Sequence, residues 1–172
     1  MFKPLSEVKV QFRDVYAGTI DIVCGLADVK CPVEFEEENH TYSLNGKTLP
    51  SVTQLLGSSY DYVSKNVLER ASQRGLEIHK EIEMYLKEGV TGTSHEFAEF
   101  IKIYLENKSI FASKCVMDIK TYNVMTKEAL ERAKNQTAMY VKALKWTTNI
   151  EDDFDTYVIW LPKEKKGKLI KL

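Results

Sequence analysis

The segment Lys114-Cys-Val-Met-Asp-Ile-Lys-Thr121 sets Asp118 and Lys120 one residue apart within an apolar run. Side chains two positions apart on a strand point the same way, so a carboxylate able to ligate a hard cation would sit beside an ammonium able to hold or activate a nucleophile. A second strand-like run, Tyr16-Ala-Gly-Thr-Ile-Asp-Ile-Val-Cys24, carries another inward carboxylate, Asp21, among β-branched residues. Two such strands invite a metal site. The plainer reading, salt-bridged or turn-proximal acids, fits less well because both carboxylates interrupt apolar strands.

The elements that must position these residues are legible in part. Residues 6 to 12 alternate polar and apolar, and Arg13-Asp14 turns the chain into the strand 16 to 24, so residues 1–24 read as a core β-hairpin. Residues 25 to 39, with Gly25, Pro32 and the acidic cluster Glu34 to Glu38, read as a linker. Asn45-Gly46 between alternating segments predicts a smaller accessory hairpin over 40–49. A helical part follows over 50–106: Ser51 caps a short helix ended by Gly57, and Val63, Val67, Leu68 and Ala71, then Leu76, Ile78, Ile82, Tyr85 and Leu86, carry helical spacing up to Gly89. Gly75 marks either a helix boundary or a close backbone approach. Ser94 to Glu106 predicts a helix with Phe97, Phe100, Ile101, Tyr104 and Leu105 inward. Residues 114–172 supply the Asp118 strand, a helix from a Thr126 cap to about Trp146, and a final strand pair at 156–161 and 168–172. The expected fold is α+β, a mixed α/β arrangement with a central mixed β-sheet flanked by helices, in one domain over 1–172.

Composition bounds the function. The 172 residues are 44% hydrophobic, enough for one sizeable core, and 24 Lys plus Arg against 25 Asp plus Glu exclude a strongly basic nucleic-acid scaffold. Any polyanion must be met locally, and the lysine-rich end from Lys163 to Lys171 could concentrate positive potential at one edge. Three cysteines, Cys24, Cys31 and Cys115, form no C-x-x-C pair, which argues against a disulfide framework or a four-cysteine metal site. No apolar run approaches the roughly 18 residues that span a bilayer, and Met1-Phe-Lys-Pro lacks a signal-peptide core, so a soluble cytoplasmic protein with no membrane partner is expected.

Taken together, Gly18-Thr-Ile-Asp21, Asp118-Ile-Lys120-Thr121, Arg74-Gly75-x-x-x-His79 and Gln136-x-x-x-Tyr140 resemble the PD-(D/E)XK nuclease superfamily, most closely its RecB-like and phage exonuclease branch. His40-x-Tyr followed by Leu49-Pro-Ser-Val-Thr53 is similar to the leader of phage-encoded members. The resemblance implies a restriction-endonuclease-like core and a Mg²⁺- or Mn²⁺-dependent deoxyribonuclease, bacterial or phage-encoded, more an exonuclease than an endonuclease, acting in recombination, repair or phage DNA processing. DNA is the implied partner, with a recombination partner protein or a homo-oligomer as further associations.

Site roles follow from the same resemblance. Asp21, Asp118 and Lys120 would be catalytic; His79, Asp21, Asp118 and the Ile119 carbonyl would ligate metal; Glu7, Gln136 and Tyr140 would be accessory. Mg²⁺ takes few carboxylates plus waters and phosphate oxygens, and an imidazole ligand favours Mn²⁺ support. Gly75, one turn before His79 on the same helical face, leaves room for metal or nucleic acid. Arg74, Gly75, Thr121, Lys134 and Lys142 would contact DNA, the basic side chains through phosphates. Taken alone, His79 reads as a half-exposed helical histidine, and Gln136 with Tyr140 as a buried tyrosine and its amide partner. His40 is expected to steady its hairpin and His95 to start a surface helix.

The chain departs from the family in order: its first two strands precede the histidine helix. Moving residues 7 to 28 between Ser113 and Lys114 would restore the usual order, so the connectivity is rearranged by transposition, and exchange of the hairpin between two chains is one way to accommodate it. The competing function is a catalytically inactive nuclease-fold protein that binds nucleic acid or regulates. Two buried acids, which would repel a phosphate without metal, argue against it.

Overall fold

The computed structural model of the protein describes residues 2–57 and 65–172, with the side chains of 65–72 excepted. Strand β1 (Leu5–Phe12) turns through Arg13 to Val15 into β2 (Tyr16–Cys24), the expected hairpin. Three short strands follow, β3 (Glu34–Glu36), β4 (Thr41–Leu44) and β5 (Lys47–Leu49), paired as a separate antiparallel sheet in the order β3-β4-β5. Asn45 and Gly46 both take positive φ, 52° and 82°, as the tight hairpin turn there requires. The expected linker is therefore structured near its end. Glu34 and Glu36 point out while Phe35 packs on Tyr42, with ring centroids 4.7 Å apart, so three residues of alternation were enough.

Helix α1 (Val52–Leu56) starts on a capping box in which Ser51 Oγ accepts from Gln54 N and the Gln54 side chain accepts from Ser51 N. Helix α2 (Lys65–Glu88) is continuous through Gly75, so no boundary falls there. The glycine instead marks a close approach: a Cβ on it would stand 3.3 Å from Thr121 Oγ1. Val63 lies outside the described residues, and Val67, Leu68 and Ala71 are described by backbone alone. Helix α3 (His95–Glu106) is capped by Ser94, and a turn of helix not foreseen, α4 (Lys108–Phe111), leads into β6 (Cys115–Lys120). Thr126 caps α5 (Lys127–Thr148), and β7 (Asp155–Trp160) and β8 (Lys168–Lys171) end the chain.

The five long strands form one mixed sheet in the order β1-β2-β6-β7-β8, parallel between β6 and β7 and antiparallel elsewhere. The expected α+β class with a helix-flanked central sheet is the observed one. On one face Ile22, Met117, Ile119 and Ile159 meet Ile78, Ile82, Phe97 and Phe100 of α2 and α3. On the other, Val10, Ile20 and Val116 meet Val52, Ala143 and Leu144 of α1 and α5. Burying each such side chain is worth about 1.5–3 kcal/mol. Two expectations about facing fail: Leu76 is 66% and Leu105 is 54% exposed. On α3, Ile103 takes the inward position instead. The hairpin joins the sheet of its own chain through β2 and β6, so the transposed order needs no exchange between chains to close the sheet. Among the described residues no helix is long and apolar enough to cross a membrane.

Candidate active site

A fork in the central sheet builds the site. Strands β2 and β6 pair at Ile22↔Met117, Val23↔Val116 and Cys24↔Cys115 and then part. Continued by one residue, that register sets Asp21 across from Asp118, the first positions beyond the paired stretch. Asp21 occupies the gap: its Oδ2 accepts from Ile119 N at 2.7 Å. Because the N–H and C=O of one strand residue point to the same side, the Ile119 carbonyl also faces the fork.

Strand β2 turns over at this point. Ile20 packs with the α5-side core and Ile22, two residues on, with the α2-side core, whereas strict alternation would keep them together. Between the pairs Ser6↔Ile22 and Val8↔Ile20 stands Glu7, opposite Asp21, with φ of +52°. A left-handed non-glycine residue inside a strand is costly backbone geometry of the kind that gathers at functional sites. The turnover lets Asp21 reach toward α2 as well as β6.

Helix α2 contributes His79. Its Nδ1 donates to Gly75 O at 2.7 Å, which leaves Nε2 facing Asp21 Oδ2 at 3.3 Å. Helix α5 contributes Gln136 and Tyr140, buried on one face: Lys120 Nζ donates to Gln136 Oε1 at 3.0 Å and Gln136 Nε2 donates to Tyr140 Oη at 3.1 Å. Gly18 makes the room for that tyrosine, since a Cβ on it would lie 2.7 Å from Tyr140 Cε1. Lys120 Nζ is 3.0 Å from Asp118 Oδ2. The ion pair is close but off the direction of a hydrogen bond, and Oδ2 is buried with no hydrogen bond reaching it.

The charges are strongly coupled. Burial pushes the Asp118 carboxyl up, Lys120 opposes it and the charge of Asp21 adds to it, with the net shift upward. Burial also acts on Asp21, but the His79 imidazolium, hydrogen bonds from His79 and Asp118, and the Ile119 N–H hold it below the usual carboxylate range. Burial works against a charged His79, yet attraction to Asp21 outweighs it and raises the imidazole to about 9. Burial likewise opposes the charge on Lys120, and Asp118 and Tyr122 keep it above the ordinary lysine range. Glu7 is raised to about 7, by burial first and then by Asp21. Two opposed acids beside two cations form a site largely neutralised from within.

These residues line one cleft of about 1000 Å³. The structure brings Glu7, Asp21, His79, Asp118, Ile119, Lys120, Gln136 and Tyr140 to it, together with Arg74, Gly75 and Thr121. Lys134 and Lys142, expected at the same surface, do not line it: Lys134 is exposed on α5 and Lys142 lies over the Phe12 ring at 4.5 Å. Arg74 is held rather than free, donating to Glu96 Oε1 at 3.1 Å and to the Thr121 carbonyl. It fixes the end of β6 against α2 and α3.

Several wall residues go beyond the site residues expected from the sequence. Thr19 Oγ1 and Tyr42 Oη share a hydrogen bond of 2.6 Å that ties the small sheet to β2, and His40, edge to face with Phe35 and Tyr42, lines the cleft beside them. Lys163 reaches it from the loop after β7. His95 is at a helix start on the surface as expected, its Nε2 2.7 Å from Lys165 O.

The chain matches no family model, no curated protein and no solved structure. The chemistry must be judged from the fork itself. Among the described residues no three His, Cys, Asp and Glu side chains form a ready-made metal cage: His79 is turned on Asp21, and Lys120 stands beside Asp118. The donors nevertheless suit a hard cation, because two opposed carboxylates and a backbone carbonyl are oxygen ligands of the type Mg²⁺ and Mn²⁺ take, and Asp118 Oδ2 is a buried oxygen that no hydrogen bond reaches.

Proposed function

We propose that the protein is a divalent-metal-dependent deoxyribonuclease of the PD-(D/E)XK kind, an exonuclease working in recombination, repair or phage DNA processing. The observation that carries this reading is the buried, hydrogen-bond-free Asp118 Oδ2, opposite Asp21 and 3.0 Å from the Lys120 ammonium. Holding two buried carboxylates face to face costs free energy beyond what the single Lys120 ammonium offsets, and a divalent cation would lower it.

Asp21, Asp118 and the Ile119 carbonyl would hold Mg²⁺ or Mn²⁺, and His79 would join them once its Nε2 gives up Asp21. When bound, the ion supplies positive charge at the scissile phosphate and a water acidic enough to attack it. Lys120 keeps its ammonium at the fork because Gln136 accepts one of its hydrogens and is itself braced on Tyr140. That ammonium orients the attacking water or meets the charge developing on the phosphate. Arg74 and Thr121 shape the wall through their mutual contact rather than by gripping phosphate. Lys163, at the rim, is the better placed phosphate contact.

The test is degradation of linear DNA with Mg²⁺, with Mn²⁺ and with EDTA, by the wild type and by Asp118→Asn and Lys120→Ala. Metal-dependent loss of DNA that falls at least a hundredfold in both variants supports the reading. DNA binding without cleavage in either metal overturns it in favour of an inactive nucleic-acid-binding protein.

A further inference from the structure

A second, shallower depression of about 520 Å³ lies between the tip of the β1–β2 hairpin and the last turns of α5, walled by Phe12, Lys142, Lys145, Trp146, Ile150 and Glu151. Phe12 and Trp146 meet edge to face with ring centroids 6.1 Å apart, and Trp146 is 51% exposed. Cations crowd this pair. Lys142 Nζ is 4.5 Å from the Phe12 ring centre, and the Arg13 guanidinium is 5.1 Å from Phe12 and 5.6 Å from Trp146. Lys145 pairs at 3.6 Å with the fully exposed Asp153, a contact of little strength in water.

We propose that this depression is a nucleic-acid contact separate from the cleft, in which a base of single-stranded DNA stacks on Trp146 while Arg13, Lys142 and Lys145 meet the adjoining phosphates. Exposed aromatic platforms beside cations are how sequence-tolerant single-strand binding is built: each stacked base gains from the ring face, and the backbone from the charges. Phe12 carries both Lys142 and Arg13 near its ring and Trp146 only Arg13, so the half-exposed indole is the less covered aromatic surface for a base. Arg13, Lys142 and Lys145 against two carboxylates, Glu151 in the wall and Asp153 on Lys145, fit a polyanion better than an apolar peptide.

Position favours the same occupant. The hairpin and α5 that form the depression also carry Asp21, Glu7, Gln136 and Tyr140. From Tyr140 to Trp146 the helix rises about 9 Å, roughly three base steps of a stacked strand. Lys142 lies between them on α5. Trp146 projects about 120° around α5 from Tyr140, so a single strand engaging both sites would pass partly around this helix. The inference deepens the nuclease reading and rests on it for the class of ligand.

The experiment is a fluorescence titration of the full chain with single-stranded oligothymidylate in EDTA, at two salt concentrations. Quenching that disappears in Trp146→Phe identifies the stacked ring. Affinity should fall about tenfold or more in Trp146→Ala, and Lys142→Ala should reduce the salt slope by about one. Binding with no change in Trp146 emission, equal affinity in the variants, or the same quenching by duplex alone or by an unrelated protein would overturn the proposal. The two readings fail separately: unchanged titrations beside metal-dependent cleavage sink the second contact, and intact titrations without cleavage in any metal sink the nuclease.

Discussion

Gly18 and Tyr140 occupy each other's space: a Cβ on the glycine would stand 2.7 Å from Tyr140 Cε1 and 3.2 Å from Val52 Cγ2. The glycine takes no left-handed φ, so its role is steric. Gly18→Ala must move the ring whose hydroxyl braces Gln136, and through it Lys120. The expected cost is about 1–3 kcal/mol of stability, read by urea denaturation, together with reduced cleavage. Because the clash is with one side chain, Tyr140→Leu should relieve it, making the double variant more stable than the sum of the two singles. Additive losses would count against this contact.

Gln136→Leu removes the acceptor that holds the Lys120 ammonium while keeping the volume of the buried side chain. A hydrogen bond to a charged group is worth about 1.5–3 kcal/mol, so cleavage is expected to fall roughly 10- to 100-fold. Affinity for DNA in EDTA should hardly change, because Gln136 is buried and spends its polar atoms on Lys120 and Tyr140. A proportional loss of both would show that Gln136 acts on binding instead.

Glu7 supplies a pH test. Its carboxyl is raised from 4.5 to about 7, first by burial and next by Asp21, so between those values the native chain keeps a proton that the unfolded chain has lost. The native state then binds more protons, and unfolding free energy falls as pH rises through that window. Glu7→Gln removes this slope. In EDTA the variant should match the wild type below about pH 4.5 and exceed it above about pH 7. Parallel stability curves across the whole range would contradict the assignment.

Metal should stabilise the folded chain through the fork. At a hundredfold excess over Kd, a ligand specific to the native state adds about 2.7 kcal/mol, which for a chain of this size raises Tm by about 5–10 °C. Mn²⁺ is expected to produce such a shift in the wild type and little in Asp118→Asn. An equal shift in both would place the ion elsewhere.

How far the sequence carries is clear from particular residues. Local chemistry was readable: Asn45-Gly46 fixes a turn through its φ values, Ser51, Ser94 and Thr126 cap helices with their own hydroxyls, and the alternation of residues 5 to 24 gives the hairpin. The residues gathered at the fork were also readable, because their types and spacing carry the chemistry. What depends on long-range contact was not. The turnover of β2 at Asp21 arises from pairing with β1 and β6 together, and nothing in the local alternation marks it. Arg74 looks like a free phosphate ligand until Glu96, buried at the start of α3, and the Thr121 carbonyl take its hydrogens. Of the two readings of Gly75 only the close approach holds, since the helix runs straight through it, and Leu76 faces the cleft instead of the core.

The metal would sit at one point, the gap where β2 leaves β6. Anomalous diffraction from crystals grown with Mn²⁺ tests it most directly. The account predicts a manganese peak in that gap, in contact with carboxylate oxygens of both Asp21 and Asp118. A map with no peak at the fork, or with manganese bound only elsewhere on the chain, would contradict it.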